Sequence, residues 1–350
     1  MIKKSILFIV FVLLGNLVFC QDALFTQYQY APLNLNPGLT GGSRNNLRLT
    51  GLSKMQWFNL NKPFRFINVA ADVAYYDDDE RNIVNLGIMA NHSSKGGLNN
   101  TNISGLISRN FGTNDLDVSN WYLSIGLQAG FTFGSVNPND FVFMDQLDPN
   151  GITGGASQID LFKISNSRNY FDMSSGFVFN TKNFMIGGAI HHLNEPTTSF
   201  NGKPENSKLP RKLTGHFSYL LESNEILFKP TVIAQFQGQS KVLMIGALVD
   251  FIDFPIEFSL FYRNNAGLAY NNAISVGFTW KWNEVSSPDD HRRQYNNKFG
   301  LSYDAEINRP GINTTNGSVE LGIKKNVIID KFGRCPPSAR CDFRFPWEFL

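Results

Sequence analysis

The sequence predicts an all-β protein, a closed antiparallel transmembrane β-barrel of about fourteen strands, from three observations. Long segments alternate strictly between apolar residues and small or polar ones. Charged residues make up only 17% of the chain while Phe and Gly number 31 and 30, against about 25% charged residues in an ordinary globular protein. After an apolar N-terminal run, no second window of about eighteen apolar residues appears, so any membrane crossing falls to strands.

Residues 1–20 read as a secretory signal peptide: Lys3 and Lys4 precede an apolar core, Ile6 to Leu14, too short to span a bilayer comfortably. Leu17-Val18-Phe19-Cys20 leaves two readings open, cleavage after Cys20 or lipidation of Cys20, although Phe19 is bulky for a lipidation site. Residues 21–46 open with QDALFTQYQYAPLNLNPGLTGG, which has the period of neither helix nor strand. Pro32 and Pro37 bar it from a central strand. It is expected inside the barrel or against its periplasmic mouth, with Phe25, Tyr28 and Tyr30 as packing anchors and Asn36 and Pro37 in its second half.

The barrel is expected over residues 47–325. In WYLSIGLQAGFTFGS, Leu123, Ile125, Leu127, Ala129, Phe131 and Phe133 share one parity, and Ser124, Gly126, Gln128, Gly130 and Thr132 the other. The same alternation recurs in YFDMSSGFVFN (from Tyr170), AISVGFTWKWN (from Ala273) and FGLSYDAEI (from Phe299). A soluble sandwich also alternates, but its strands usually run about five or six residues, whereas a membrane strand needs about nine to eleven. Glycine on the non-apolar face weakens an ordinary strand and suits a barrel interior that must hold water, loops or a plug. Tyr75, Tyr76, Trp121, Tyr122, Trp280 and Trp282 sit at strand ends, as interfacial girdles do.

The predicted strands are 47–57, 65–76, 84–94, 101–112, 121–135, 171–181, 184–193, 211–222, 226–238, 241–253, 255–263, 273–283, 298–307 and 317–325. The first has the weakest pattern, so twelve strands is the alternative. An even count closes an antiparallel barrel with both termini on one side, the periplasm. From the sixth strand on, that side carries short connections at 182–183, 223–225 and 254, and the other carries long ones at 136–170, 194–210, 264–272 and 308–316. Gln239-Ser240, a tight outer turn, and NEVSSPDDHRRQYNN, a long inner connection, break this asymmetry.

No catalytic motif stands out: there is no G-x-S-x-G, H-E-x-x-H or phosphate-binding loop, and no cofactor is expected. Lys plus Arg is 31 and Asp plus Glu 29; without Lys3 and Lys4 the balance is 29 to 29, which gives no reason to expect nucleic-acid binding. His191-His192 cannot chelate one ion from opposite faces of a strand, so one ring is expected toward the lumen and one at the rim. Asp145, Asp148 and Asn150 fall in a turn rather than an EF-hand, and no metal site is expected. Asp77, Asp78, Asp79 and Glu80 read as a solvated turn. The tail, 326–350, holds Cys335 and Cys341, expected to close a small disulfide loop in an exported protein. Its Phe343, Phe345 and Trp347 are expected to dock on the periplasmic side, against the barrel or a partner.

The opening stretch strongly resembles the start of mature PorP/SprF-family proteins, outer-membrane barrels of the Bacteroidetes type IX secretion and gliding system. Their pattern is Q-D-P-x-F-S-Q-Y, then N-P, then N-P-A-x-A-G. Gln21, Asp22, Phe25, Gln27, Tyr28, Pro32, Asn36, Pro37 and Gly41 fit it; Ala23, Ala31 and Gly38 depart from it. YFDMSSGFVFNTKNFMIGGAIHHLNEPTTSF and KFGLSYDAEINRPGINTTNGSVELGI are similar to two further family segments, with Val319 where the family often has His. The resemblance implies a non-enzymatic barrel that helps export or surface-anchor partner proteins, such as adhesins with a type IX C-terminal signal domain. It also implies contact with the peptidoglycan-linked periplasmic side of the machinery. The alternative class is a fatty-acid-channel-like transporter of hydrophobic small molecules, which also has about fourteen strands and an N-terminal plug.

Overall fold

The computed structural model describes residues 22–42, 47–76, 82–112, 121–137, 141, 144–148, 151–152, 166–181, 183–200, 207–223, 225–252, 254–266, 272–285, 294–308 and 311–327. The signal peptide, Asp77 to Glu80, Asn150, and the tail with Cys335, Cys341, Phe343, Phe345 and Trp347 lie outside these residues.

Fourteen antiparallel strands close into one barrel. They are β1 (Leu47–Gln56), β2 (Phe64–Tyr76), β3 (Asn82–Lys95), β4 (Leu98–Gly112), β5 (Trp121–Val136), β6 (Ser167–Thr181) and β7 (Phe184–His191). The series continues with β8 (Lys212–Tyr219), β9 (Ile226–Gln237), β10 (Ser240–Phe251), β11 (Ile256–Ala266), β12 (Ala273–Val285), β13 (Gln294–Glu306) and β14 (Ser318–Val327). Each pairs with its sequence neighbours. The ring closes where all ten residues of β1 pair with β14, from Leu47↔Val327 to Gln56↔Ser318. The first strand is therefore a full member, and the count is fourteen rather than twelve. Several strands extend beyond their predicted limits, because ladder pairing carries on where the apolar alternation has already given way to polar residues. β4 thus begins at Leu98 and β13 at Gln294.

The alternation is the reverse of a soluble fold. On β5, Ile125, Leu127, Phe131 and Phe133 are exposed on the outside, while Ser124, Gln128 and Thr132 are buried inside. β6, β12 and β13 follow suit: Phe171, Val276 and Leu301 point out, and Asp172, Ser275 and Asp304 point in. An apolar band running round the barrel is stable only against hydrocarbon, and a closed sheet leaves no unpaired edge there. At one end Trp121 stacks on Phe179 (5.8 Å), and Phe179, Phe184 and Phe217 continue the belt at 6.0 and 6.4 Å. This near end is where β1 begins and β14 stops; the opposite, far end carries the long connections after β5, β7 and β13. The tight turns Gly96-Gly97 and Gly238-Gln239 also lie at the far end, each using a glycine with positive φ.

The N-terminal segment occupies the lumen. A 3₁₀ turn (Tyr28–Tyr30), one helical turn (Pro32–Leu35) and a second 3₁₀ turn (Pro37–Leu39) break it at its prolines. Its apolar side chains enter three clusters supplied by the wall. Tyr28, Leu35 and Leu39 join Val178, Met185, Ile233, Met244, Leu248 and Phe261. Phe25, Tyr30 and Ala31 join Leu52 and Phe66, and Leu33 joins Ala70, Met89 and Leu106. The segment runs from Asp22 beside His192 and Lys212 at the far end to Gly41 beside Asp72 near the start of β1. The first and last described residues, Asp22 and Val327, thus lie at opposite ends of the barrel. The even strand count places only Leu47 and Val327 together; the stretch before β1 carries the chain back through the lumen.

Candidate functional site

The candidate site is the lumen: the N-terminal segment, the inner wall that holds it, and the cavity left beside it at the far end. Four groups of contacts fix the segment along its length. At the far end, Asp22 Oδ2 lies 2.7 Å from Lys212 Nζ and 2.9 Å from His192 Nε2, and His192 Nδ1 lies 2.8 Å from Asp172 Oδ2. The backbone N–H of Asp22 also donates to Gln237 Oε1 at 3.1 Å. Burial works against ionisation of Asp22, but Lys212 and His192 outweigh it and hold the carboxyl well below the usual carboxylate range. Burial likewise opposes charge on His192, yet Asp22 and Asp172 raise its pKa to about 9.

Next, Glu320 receives two successive backbone amides of the segment, Thr26 N to Oε1 at 2.9 Å and Gln27 N to Oε2 at 2.8 Å. Thr26 Oγ1 donates to Asp304 Oδ1 at 3.0 Å. Lys54 Nζ lies 2.9 Å from Glu320 and 3.1 Å from Asp304, and donates to Leu24 O at 2.9 Å. Arg263 completes the quartet, 3.2 Å from Asp304. Two cations balance two carboxylates here, as buried charges require.

In the middle, Tyr28 donates to Thr231 Oγ1 and Tyr30 bonds Thr279 Oγ1, both at 3.0 Å, and Tyr28 meets Phe261 edge-on at 5.9 Å. Burial raises both phenol pKa values, so each ring keeps its proton at ordinary pH. The wall opposite Tyr30 is Gly300 and Gly322, where any Cβ would collide with its ring. Asn36 is the main polar tie. Its Nδ2 lies 2.9 Å from Phe177 O, 3.3 Å from Gly188 O and 3.0 Å from His216 Nε2, while its Oδ1 accepts from Gly38 N at 2.8 Å. Pro37 lies against β5, where a Cβ on Gly126 would collide with its carbonyl. At the near end Arg48 holds Asp72 with two bonds, 2.9 and 2.8 Å, and donates to Leu39 O at 2.8 Å. Asp72 in turn accepts from Gly41 N.

The structure thus brings Phe25, Tyr28, Tyr30, Asn36 and Pro37 together in the lumen. The sequence reading missed the residues that hold them. Their signal was present as charge on the inward parity of long strands: Lys54, Asp72, Asp172, Asp304 and Glu320 all alternate with lipid-facing residues. The two histidines require a correction. His191 faces the lumen, 3.3 Å from Leu35 O, but His192 turns inward as well. The strand stops at His191, and a φ of 57° at His192 re-aims the side chain. Among the described residues no cluster of His, Cys, Asp or Glu could hold a metal ion.

Beside the segment at the far end lies a cavity of about 140 Å³, lined by the inner faces of β2 to β8 and by residues on Asp22 to Asn34. It is rich in amides and hydroxyls (Asn91, Asn102, Gln128, Thr132), with Tyr170 and Phe66 among the aromatic residues.

The sequence profile described as "Type IX secretion system membrane protein PorP/SprF" matches residues 18–324. No curated protein matches the chain. Among solved structures, the chain is similar to the CymD monoaromatic hydrocarbon channel, with 12% identity, 88% of this chain and 94% of that one covered, and a TM-score of 0.47. It is similar to a Pseudomonas aeruginosa FadL homologue at 10%, 83%, 92% and 0.45 in the same order. For the Acinetobacter baumannii outer membrane protein Omp33 the figures are 8%, 81%, 98% and 0.41.

Proposed function

The chain belongs to the PorP/SprF family of type IX secretion system membrane proteins, and on that premise we propose that it is a plugged outer-membrane barrel that supports export or surface attachment of a partner protein. The partner class is a type IX substrate with a C-terminal signal domain, such as an adhesin. The observation that carries this reading is the lumen itself. Residues 22–42 cross it from end to end, tied by ion pairs, carboxylate-to-amide bonds and three apolar clusters. A lumen held shut in this way suits a scaffold that presents its mouths and loops to other proteins better than a conduit. In this reading the far end, with its long loops, faces outward, and the near end faces the periplasmic components of the machinery.

The runner-up, a transporter of hydrophobic small molecules, needs an apolar path. The apolar residues of the inner wall are instead covered by the segment, and between them the wall presents Thr50, Lys54, Asn68, Asp72, Ser124, Asn180, Asp304 and Glu320. Deleting the gene and comparing surface proteomes tests the main reading. Loss of one or a few type IX substrates from the surface is expected, and unchanged export and attachment of all of them would overturn it.

A further inference from the structure

We propose that the far end of β6 is a docking edge for an extended segment of another protein, which adds to the barrel wall as one more strand. β6 pairs with β5 over fifteen residues, from Trp121↔Thr181 to Ser135↔Ser167. It pairs with β7 over only six, from Asn180↔Met185 to Ser175↔Ile190. β7 stops at His191 and β8 begins at Lys212, so β6 runs on past both toward the far end. Every second residue of a strand directs its N–H and C=O to the same neighbour. Met173 directs them to the β7 side, where its carbonyl accepts from Leu193 N at 2.9 Å, so Phe171 and Asn169 face that side too.

A side chain stands where the next strand residue would be. Asn194 Oδ1 accepts from Met173 N at 3.2 Å and its Nδ2 donates to Phe171 O at 2.7 Å, the two groups that one residue of a parallel strand would bond. Beyond Asn194, among the described residues, nothing accepts from the N–H of Phe171 and nothing bonds the N–H or C=O of Asn169. The strap after β7 does not cover them, because its Thr197 and Thr198 pair with Lys208 and Ser207. The outward residues beyond Phe133 and Phe171 are Ser135, Asn169 and Ser167, all exposed. The edge therefore lies past the apolar band, where unpaired backbone meets water and not hydrocarbon.

The spacing of these groups selects the occupant. They recur at every second residue, about 6.6–6.8 Å apart, a repeat that another strand's backbone matches and an ion, sugar or lipid headgroup does not. A second copy does not fit. Pairing two β6 edges antiparallel puts the two-fold axis perpendicular to the barrel wall, which would insert the two barrels in opposite directions. The edge gives the partner-binding reading a surface, and the identity of the docked protein rests on that reading.

Hydrogen–deuterium exchange of the full-length protein, followed by mass spectrometry at the amides of Asn169 and Phe171, tests the proposal. Both amides are expected to exchange fast in liposomes, and about tenfold or more slowly in outer membranes isolated from the cells that make the protein. Asn169→Pro deletes one edge N–H and spares the β5–β6 ladder, since the Asn169 backbone faces away from β5. The slowing at Phe171 is expected to disappear in Asn169→Pro and to persist in Asn169→Ser, with the ladder amide of Tyr170 protected in both. Slow exchange in liposomes overturns the proposal, because the protein's own loops or a second copy would then cover the edge. Equal rates of the wild type in liposomes and native membranes overturn it as well, without any variant, as does slowing that Asn169→Pro leaves intact. Membranes from cells blocked in type IX secretion separate the two readings. Slowing that vanishes there supports both, whereas slowing that persists keeps the docking edge and counts against a type IX partner.

Discussion

Asn36 shows how a single side chain holds the segment. It is fully buried, and its one amide nitrogen faces two strand carbonyls and a histidine nitrogen. Asn36→Ala removes all of these and leaves buried groups unpaired, so a loss of about 1–3 kcal/mol is expected. Urea unfolding in lipid vesicles reads it. The steric side is equally specific. Gly322→Ala places a methyl on Cγ and Cδ2 of the Tyr30 ring, and Tyr30→Ala removes both atoms. The double variant is expected to be more stable than the sum of the single losses predicts, a coupling that a double-mutant cycle measures. Additive losses would show that the ring and the wall do not meet. The Asp22–His192 pair sets a pH dependence. The folded pKa of His192, about 9, exceeds the unfolded value of about 6.5, so its contribution is complete below the unfolded value. It is lost as pH rises through about 9. Asp22 has the opposite sign, since its pKa is lowered: its contribution falls away only on strong acidification. Stability is therefore expected to drop between pH 7 and 10 in the wild type and far less in His192→Gln, followed by thermal unfolding across pH.

Each strand carries two demands on opposite faces. Leu260 on β11 is 59% exposed on the outer face, while its neighbours Ser259 and Phe261 are buried inside. Leu260→Arg is expected to cost about 2–4 kcal/mol if it sits at the bilayer midplane, because a charge there has only hydrocarbon around it. The same change at Phe254, in the β10–β11 turn, is expected to cost about 1 kcal/mol or less, since interfacial charges are solvated. Equal costs would place Leu260 outside the lipid band. At this scale the sequence was highly legible. β5, β6, β12 and β13 could be read directly because a lipid-facing residue and a lumen-facing residue must alternate at every step. β7 was misjudged at its end, where a backbone turn at His192 rather than the alternation stops the strand.

At the scale of the whole molecule, the segment and the barrel wall are packed and bonded together from one end of the lumen to the other. The chain enters at the far end, crosses the lumen and leaves near Gly42 to begin β1, which then closes the ring against β14. This geometry predicts an orientation test. With the far end outward, Ala23→Cys is expected to react with a membrane-impermeant maleimide on intact cells, above the wild-type background. Val327→Cys is expected to react only after the outer membrane is permeabilised; the reverse pattern would invert the barrel.

The sequence by itself determined the fold class, the strand count to within the first strand, the inward and outward faces, and the membership that the opening motif resembles. The first three follow from local period and composition, which act between neighbours in the chain, and the membership rests on the resemblance of the opening motif. Only the tertiary structure decided where the segment goes and what holds it. Asp22 meets Lys212, Thr26 meets Glu320, and Asn36 meets Phe177. These partners are separated by more than a hundred residues, and closing the sheet into a ring is what brings them within hydrogen-bonding reach. A one-dimensional pattern shows that Lys54, Asp304 and Glu320 point inward, but not that they converge on Leu24, Thr26 and Gln27.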